Sequence, residues 1–71
     1  MGLNNCLREY RAKINVNQQE FGKIVGVSRQ TISLIERGDY SPSVTLALKI
    51  AAVFDSSVED IFTYQEDEKN E

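Results

Sequence analysis

The sequence predicts an all-α fold, a compact bundle of five short helices, and three observations predict it. Apolar residues recur at helical spacing in successive segments. Cap-forming residues stand ahead of those segments, at Asn17, Ser28, Ser43 and Ser57. Nowhere does the chain alternate apolar with polar residues over several positions, as a half-buried strand would. With 71 residues it makes one domain, and a chain this short buries only about 60% of the surface it exposes unfolded.

Helix 1 is expected over 4–13. Leu3, Leu7, Tyr10 and Ile14 form one stripe of a 3.6-residue period, and Asn15 stands past its end, where a residue tolerant of the left-handed conformation is wanted. The second start is better specified. Asn17 with Glu20 makes a capping box and Val16 with Phe21 a hydrophobic staple, so helix 2 begins at Gln18 and ends at Gly26. Ser28 caps helix 3, which runs from Arg29 to Arg37 and stops at Gly38.

Pro42 and Ser43 open helix 4. Its packed residues, Val44, Leu46, Ala47, Leu48, Ile50, Ala51, Val53 and Phe54, make it the most apolar element and the expected centre of the bundle. Asp55 is a tolerable left-handed stop, and Ser57 with Asp60 forms another capping box before a short helix 5 ending near Phe62. Residues 61–64 are compatible with a short extended segment pairing with residues 1–3, a two-stranded pairing of the termini. The expected domain is 1–64, with an acidic, disordered tail over 65–71.

Composition excludes several function classes. The chain has no His and one Cys, which leaves no disulfide, no Cys/His zinc site and no His-based acid–base chemistry. Cys6 reads as a small semi-buried hydrophobe. No metal site, cofactor or enzyme activity is expected. No apolar run approaches the length of a membrane span, no signal peptide is visible, and Cys6 stands where a myristoylation pattern needs Ser or Thr. A cytoplasmic protein without membrane partners is the expectation.

Net charge is −3, which at first argues against a nucleic-acid partner. Its distribution argues otherwise. From Glu59 onward six acids face Lys69 alone, whereas residues 1–58 carry seven bases against five acids.

Two short helices separated by a three-residue break holding Gly26 have the spacing of a helix-turn-helix. Gly22, mid-helix at a cost of about 1 kcal/mol relative to Ala, makes sense if helix 3 crosses so closely that a side chain would clash. Gly26 suits a positive φ in the turn, Val27 plugs it, and Ile32 with Ile35 supplies the buried ridge of helix 3.

The stretch NQQEFGKIVGVSRQTISLIERGDYSPS resembles the Xre-type, phage-repressor and Cro-like helix-turn-helix family. Gln18, Gly22, Gly26, Ser28, Ile32, Ile35, Glu36 and Gly38 fall where that family places such residue types, and the resemblance covers roughly residues 3–64. It implies a lambda-repressor-like fold and a DNA-binding transcriptional regulator. It also implies that Arg11 of helix 1 pairs with Glu36 as a structural ion pair and not as a DNA contact. One departure stands out: the loop reads Gly38-Asp39-Tyr40, where relatives often have Lys in second place, so modest binding per subunit is expected.

The facing of helix 3 follows from about 100° per residue. Ile32, Ile35 and Ser28 define the inward face, and Gln30, Ser33, Leu34 and Arg37 the outward one, with Arg29 on the flank. A recognition helix sets its N-terminal residues against base edges, so Arg29 and Gln30 are the expected readers, of guanine and adenine respectively. Ser33 suits a base or a phosphate. Leu34 suits a thymine methyl or simple partial burial. Phosphate contacts are expected from the N-terminus of helix 2 with Gln18, from Ser28, and secondarily from Lys23, Arg37 and Tyr40; for Lys23 a solvated helix surface explains the residue equally well.

One such domain contacts a half-site, so a homodimer is expected, with Val58, Ile61, Phe62 and Tyr64 as its candidate interface. Those four could instead close the monomer core over helix 1; a shared role is the expectation, Phe62 and Tyr64 being the pair at the interface. The leading function is a homodimeric repressor on an inverted-repeat operator of double-stranded DNA. The alternative is a protein–protein adaptor, such as an antitoxin built on the same fold. Polar readers on helix 3 favour the first, since an adaptor surface would show apolar anchors there.

Overall fold

Side-chain oxygens start four of the helices. Asn17, Ser28, Ser43 and Ser57 each accept a hydrogen bond from the backbone N–H three residues on, and at Asn17 and Ser57 the acids Glu20 and Asp60 complete reciprocal capping boxes. These caps begin α2 (Gln18–Val25), α3 (Arg29–Arg37), α4 (Val44–Val53) and α5 (Val58–Ile61) in the computed structural model, which describes residues 2–65. The helices end on left-handed residues: Asn15 after α1 (Leu7–Lys13), Gly26, Gly38, and Asp55 after α4. Asn and Asp tolerate that conformation better than other residues with a Cβ.

The first helix starts later than its apolar stripe suggests. Residues 2–5 form a strand, β1 (Gly2–Asn5), antiparallel to β2 (Phe62–Gln65), with Leu3 opposite Tyr64 and Asn5 opposite Phe62. Asn4 and Asn5 therefore leave the predicted helix. Leu3 still packs on the core, from the strand, which is why it matched a helical spacing. Asn5 ties the junction: its Oδ1 accepts from the Leu7 N–H at 3.1 Å and its Nδ2 donates to the Ile35 carbonyl at 2.8 Å. β2 reaches Gln65, one residue into the segment assigned to the tail; the rest of that segment, 66–71, lies outside the described residues.

Leu7, Phe21, Ile32, Ile35, Ile50 and Ile61 are the largest fully buried side chains, and they join all five helices in one cluster. Phe54 extends it, stacked on Phe21 at 5.5 Å and tilted against Tyr10 at 5.2 Å between ring centroids. Two expectations fail here. Val44 and Leu48 are 77% and 57% exposed, because α4 buries only the stripe of Leu46, Ala47, Ile50 and Ala51 and turns its other side outward. Ile61 and Phe62 are buried in the monomer's own core, so neither is free to cover a second chain. Among the described residues no helix is long and apolar enough to cross a membrane.

Candidate nucleic-acid interface

The turn between α2 and α3 is built on Gly22. Its carbonyl accepts from the N–H of both Gly26 and Val27, at 2.7 and 2.8 Å. That closure leaves no space over its Cα: a Cβ there would stand 2.5 Å from the Val27 carbonyl oxygen. The close neighbour is thus the backbone of the turn itself, immediately before α3. Gly26 carries the chain through the break at φ 85°, a conformation that suits a residue without Cβ. Ser28 then caps α3, with Thr31 N–H and Thr31 Oγ1 each 3.1 Å from its hydroxyl oxygen.

With the turn fixed, α3 is rotated by its own apolar ridge. Ile32 and Ile35 point into the core. Arg29, Gln30 and Arg37 are exposed, while Ser33 and Leu34 are half-buried. Arg29 and Gln30 therefore stand uncovered on the first turn, beside the hydroxyl that caps it.

Behind that face α1, α2 and α3 are tied together through one carboxylate. Arg11 donates to Glu36 through Nε at 2.7 Å and Nη2 at 3.1 Å, and its Nη1 donates to the Val16 carbonyl at 3.0 Å. Gln18 adds a third hydrogen bond to Glu36, from Nε2 at 3.1 Å. Both partners of the ion pair are largely covered, at 13% exposure for Arg11 and 7% for Glu36. Burial by itself pushes the Glu36 carboxyl up. The hydrogen bonds from Arg11 and Gln18, with the charges of Arg11 and Arg8, outweigh it and hold the group below its ordinary range. The hydrogen bond with Glu36 likewise raises the Arg11 guanidinium against an opposing effect of burial.

This arrangement changes the expected part of Gln18. Its amide N–H is engaged inward on Glu36, and what remains outward at the start of α2 is its position between two polar notches. One notch is lined by Arg11, Asn17, Gln18, Gln19 and Arg29, the other by Arg8, Gln18, Ser33, Glu36 and Arg37. Lys23 is not brought to either; it lines a depression with Ile24, Lys49 and Val53 on the flank of α2 and α4. Tyr40 borders a separate hollow beside Val27, Thr31, Ser43 and Lys49. Arg37 meets Asp39 at 3.3 Å, both well exposed, so the acid in the loop partly offsets a candidate phosphate contact. Arg8 was missed by sequence reasoning, though it lies three residues before Arg11 and hence on the same side of α1.

A family profile described as "Helix-turn-helix" matches residues 7–61, spanning α1 to α5. The chain belongs to the helix-turn-helix family. An HTH-type transcriptional regulator of Methanocaldococcus jannaschii, itself uncharacterized, is 52% identical over 66 residues, covering 93% of this chain and all of that one. A second, from Archaeoglobus fulgidus, is 52% identical over 62 residues, 87% of each chain. A Bacillus subtilis relative of the same description is 45% identical over 65 residues, 92% of this chain and 98% of its own.

Among solved structures the fold is similar to the P22 c2 repressor in complex with a synthetic operator, with TM-score 0.71, 32% identity, and coverage of 75% of this chain and 80% of that one. It is also similar to a restriction-modification controller protein from Aeromonas hydrophila, with TM-score 0.68, 28% identity, and coverage of 76% and 78%. This helix-turn-helix protein is accordingly a DNA-binding transcriptional regulator, of a family that binds DNA rather than catalyses a reaction.

Proposed function

We propose that this helix-turn-helix protein is a sequence-specific repressor that binds an inverted-repeat operator as a homodimer, with α3 in the major groove. One observation carries the reading: the capped first turn of α3 presents Arg29 and Gln30 uncovered, with Ser33 and Leu34 on the same side, while Ile32 and Ile35 hold its other side in the core. Arg29 has the donors for guanine O6 and N7, and Gln30 the donor and acceptor for adenine; a good bidentate pair discriminates by about 1–3 kcal/mol. The similarity to the P22 c2 repressor, solved in complex with a synthetic operator, supports DNA as the partner.

Phosphate contacts are assigned to the backbone N–H groups at the start of α2 beside Gln18, to the start of α3 at Ser28, and to Arg37. Lys23 and Tyr40 line neither of the two notches beside Gln18 and are secondary assignments. The dimer is assigned to the exposed Tyr64 with the half-buried Val58, at the end of the molecule where the termini pair. Repression follows from occupancy, since a protein covering two half-sites about 34 Å apart blocks what must bind there.

The test is selection of bound sequences from a random duplex library, with the stoichiometry of the winning complex measured. An inverted repeat held by two subunits is the expected outcome. A folded protein that enriches no sequence at low salt would overturn the reading and favour a protein partner.

A further inference from the structure

The notch formed by Arg8, Gln18, Ser33, Glu36 and Arg37 has a charge balance that the ion pair at its floor does not absorb. Glu36 sits at the bottom, and its charge is taken up by Arg11 through two hydrogen bonds and by the Gln18 amide through a third. Asp39 offsets Arg37 at the outer edge. Arg8 is exposed and makes no ion pair or hydrogen bond among the described residues, although its charge acts on Glu36. Three guanidinium groups, Arg8 and Arg11 of α1 and Arg37 of α3, thus face two carboxylates, which leaves one positive charge, and the guanidinium without an ion pair among the described residues is that of Arg8, outside the helix-turn-helix. The notch also opens beside Ser33, on the outward side of α3 proposed to enter the groove.

We infer that Arg8 is a DNA-phosphate contact, a clamp from α1 that seats one backbone phosphate in this notch, with the Ser33 hydroxyl and the Arg37 guanidinium as its further donors. The inference rests on the DNA-reading assignment of α3 and deepens it. Glu36 also lines the notch, and a phosphate there is tolerated because that carboxylate is covered and already bound on three sides. The guanidinium fork matches a phosphate in two hydrogen bonds, and a contact of this kind fixes register without reading sequence.

The experiment compares the full chain with Arg8→Gln and Arg8→Lys, using a mixed-sequence duplex and the duplex recovered by selection, across a salt series. Melting temperature and helicity are measured for each variant, and both are expected to be unchanged because Arg8 is exposed. Neutralising one phosphate changes the slope of log affinity against log salt by about 0.9, so Arg8→Gln is expected to lower that slope by about this amount per bound subunit. Affinity for both duplexes should fall together, by several-fold at low salt, and Arg8→Lys should keep the slope.

An unchanged slope in Arg8→Gln, with the parent protein binding normally, overturns the clamp and leaves the reading of α3 standing. A change in the preferred base sequence also overturns it, since a phosphate contact carries no such information. Absence of salt-dependent duplex binding by the parent protein would defeat the DNA reading itself, and the clamp with it.

Discussion

Glu36 shows how one residue couples packing to solution conditions. Its folded carboxyl lies below the ordinary glutamate range, so over the interval between the two values the unfolded chain holds a proton that the folded chain lacks. The stability this contributes is fully present above the unfolded value and drains away as pH falls through the folded one. Acid titration of melting temperature should therefore show a loss below the usual glutamate range, and Glu36→Gln should be less stable at neutral pH with a smaller loss on acidification. Breaking such a pair typically costs roughly 3–5 kcal/mol; the low end applies, because Arg11 keeps its bond to the Val16 carbonyl. Equal acid slopes in parent and variant would contradict the assignment. Gln30 offers the complementary case, an exposed residue whose replacement by Ala should leave melting within about 0.5 kcal/mol. Operator affinity should nevertheless fall about tenfold or more and one operator position relax, as binding to a panel of single-base variants would reveal. The ion pair was legible only through the family pattern, since its partners lie 25 residues apart. The Gln18 bond to the same carboxylate was not legible, because Gln18 also fits an outward phosphate contact and only the placed Glu36 decides between them.

At the scale of elements, local chemistry made the helices readable. Asn17, Ser28, Ser57 and the glycines at 26 and 38 act within three or four residues of themselves, so their signals survive without tertiary knowledge. The start of α1 did not, because a spacing of four between Leu3 and Leu7 is met equally by a helix and by a strand followed by a helix. Val44 and Leu48 misled for a related reason: apolar character marks what can be buried, and α4 has neighbours on one side only. Gly22 was readable as a close approach, and the structure supplies the partner. Gly22→Ala gains up to about 1 kcal/mol in helix propensity but drives a methyl against the Val27 carbonyl, a displacement that typically costs about 1–3 kcal/mol. Thermal melting should show net destabilisation, and operator affinity should fall further than stability alone explains, because the shifted turn carries α3 with it. A more stable Gly22→Ala protein would mean that the turn relaxes freely and does not set the angle of α3.

For the whole molecule, the paired termini separate two roles that sequence reasoning gave jointly to Phe62 and Tyr64. Residues two apart on a strand share a side of the sheet, yet Phe62 is buried and Tyr64 is 63% exposed. The core therefore ends between them, and Tyr64 continues the apolar side of β2 past the monomer's edge. Two substitutions should then part company. Phe62→Ala removes a buried aromatic ring, which costs about 3–5 kcal/mol; for a domain whose whole stability is on the order of 0.05–0.15 kcal/mol per residue, that loss leaves little folded protein at any concentration. Tyr64→Glu removes no core contact and should melt within a few degrees of the parent. If Tyr64 joins two copies, the same change sets two carboxylates against each other at the two-fold axis. Sedimentation should then show monomer where the parent is dimeric, and operator titration should show half-site binding with weakened affinity. A Tyr64→Glu protein that still binds an inverted repeat as a two-subunit complex, with unchanged affinity, would place the interface elsewhere on the surface.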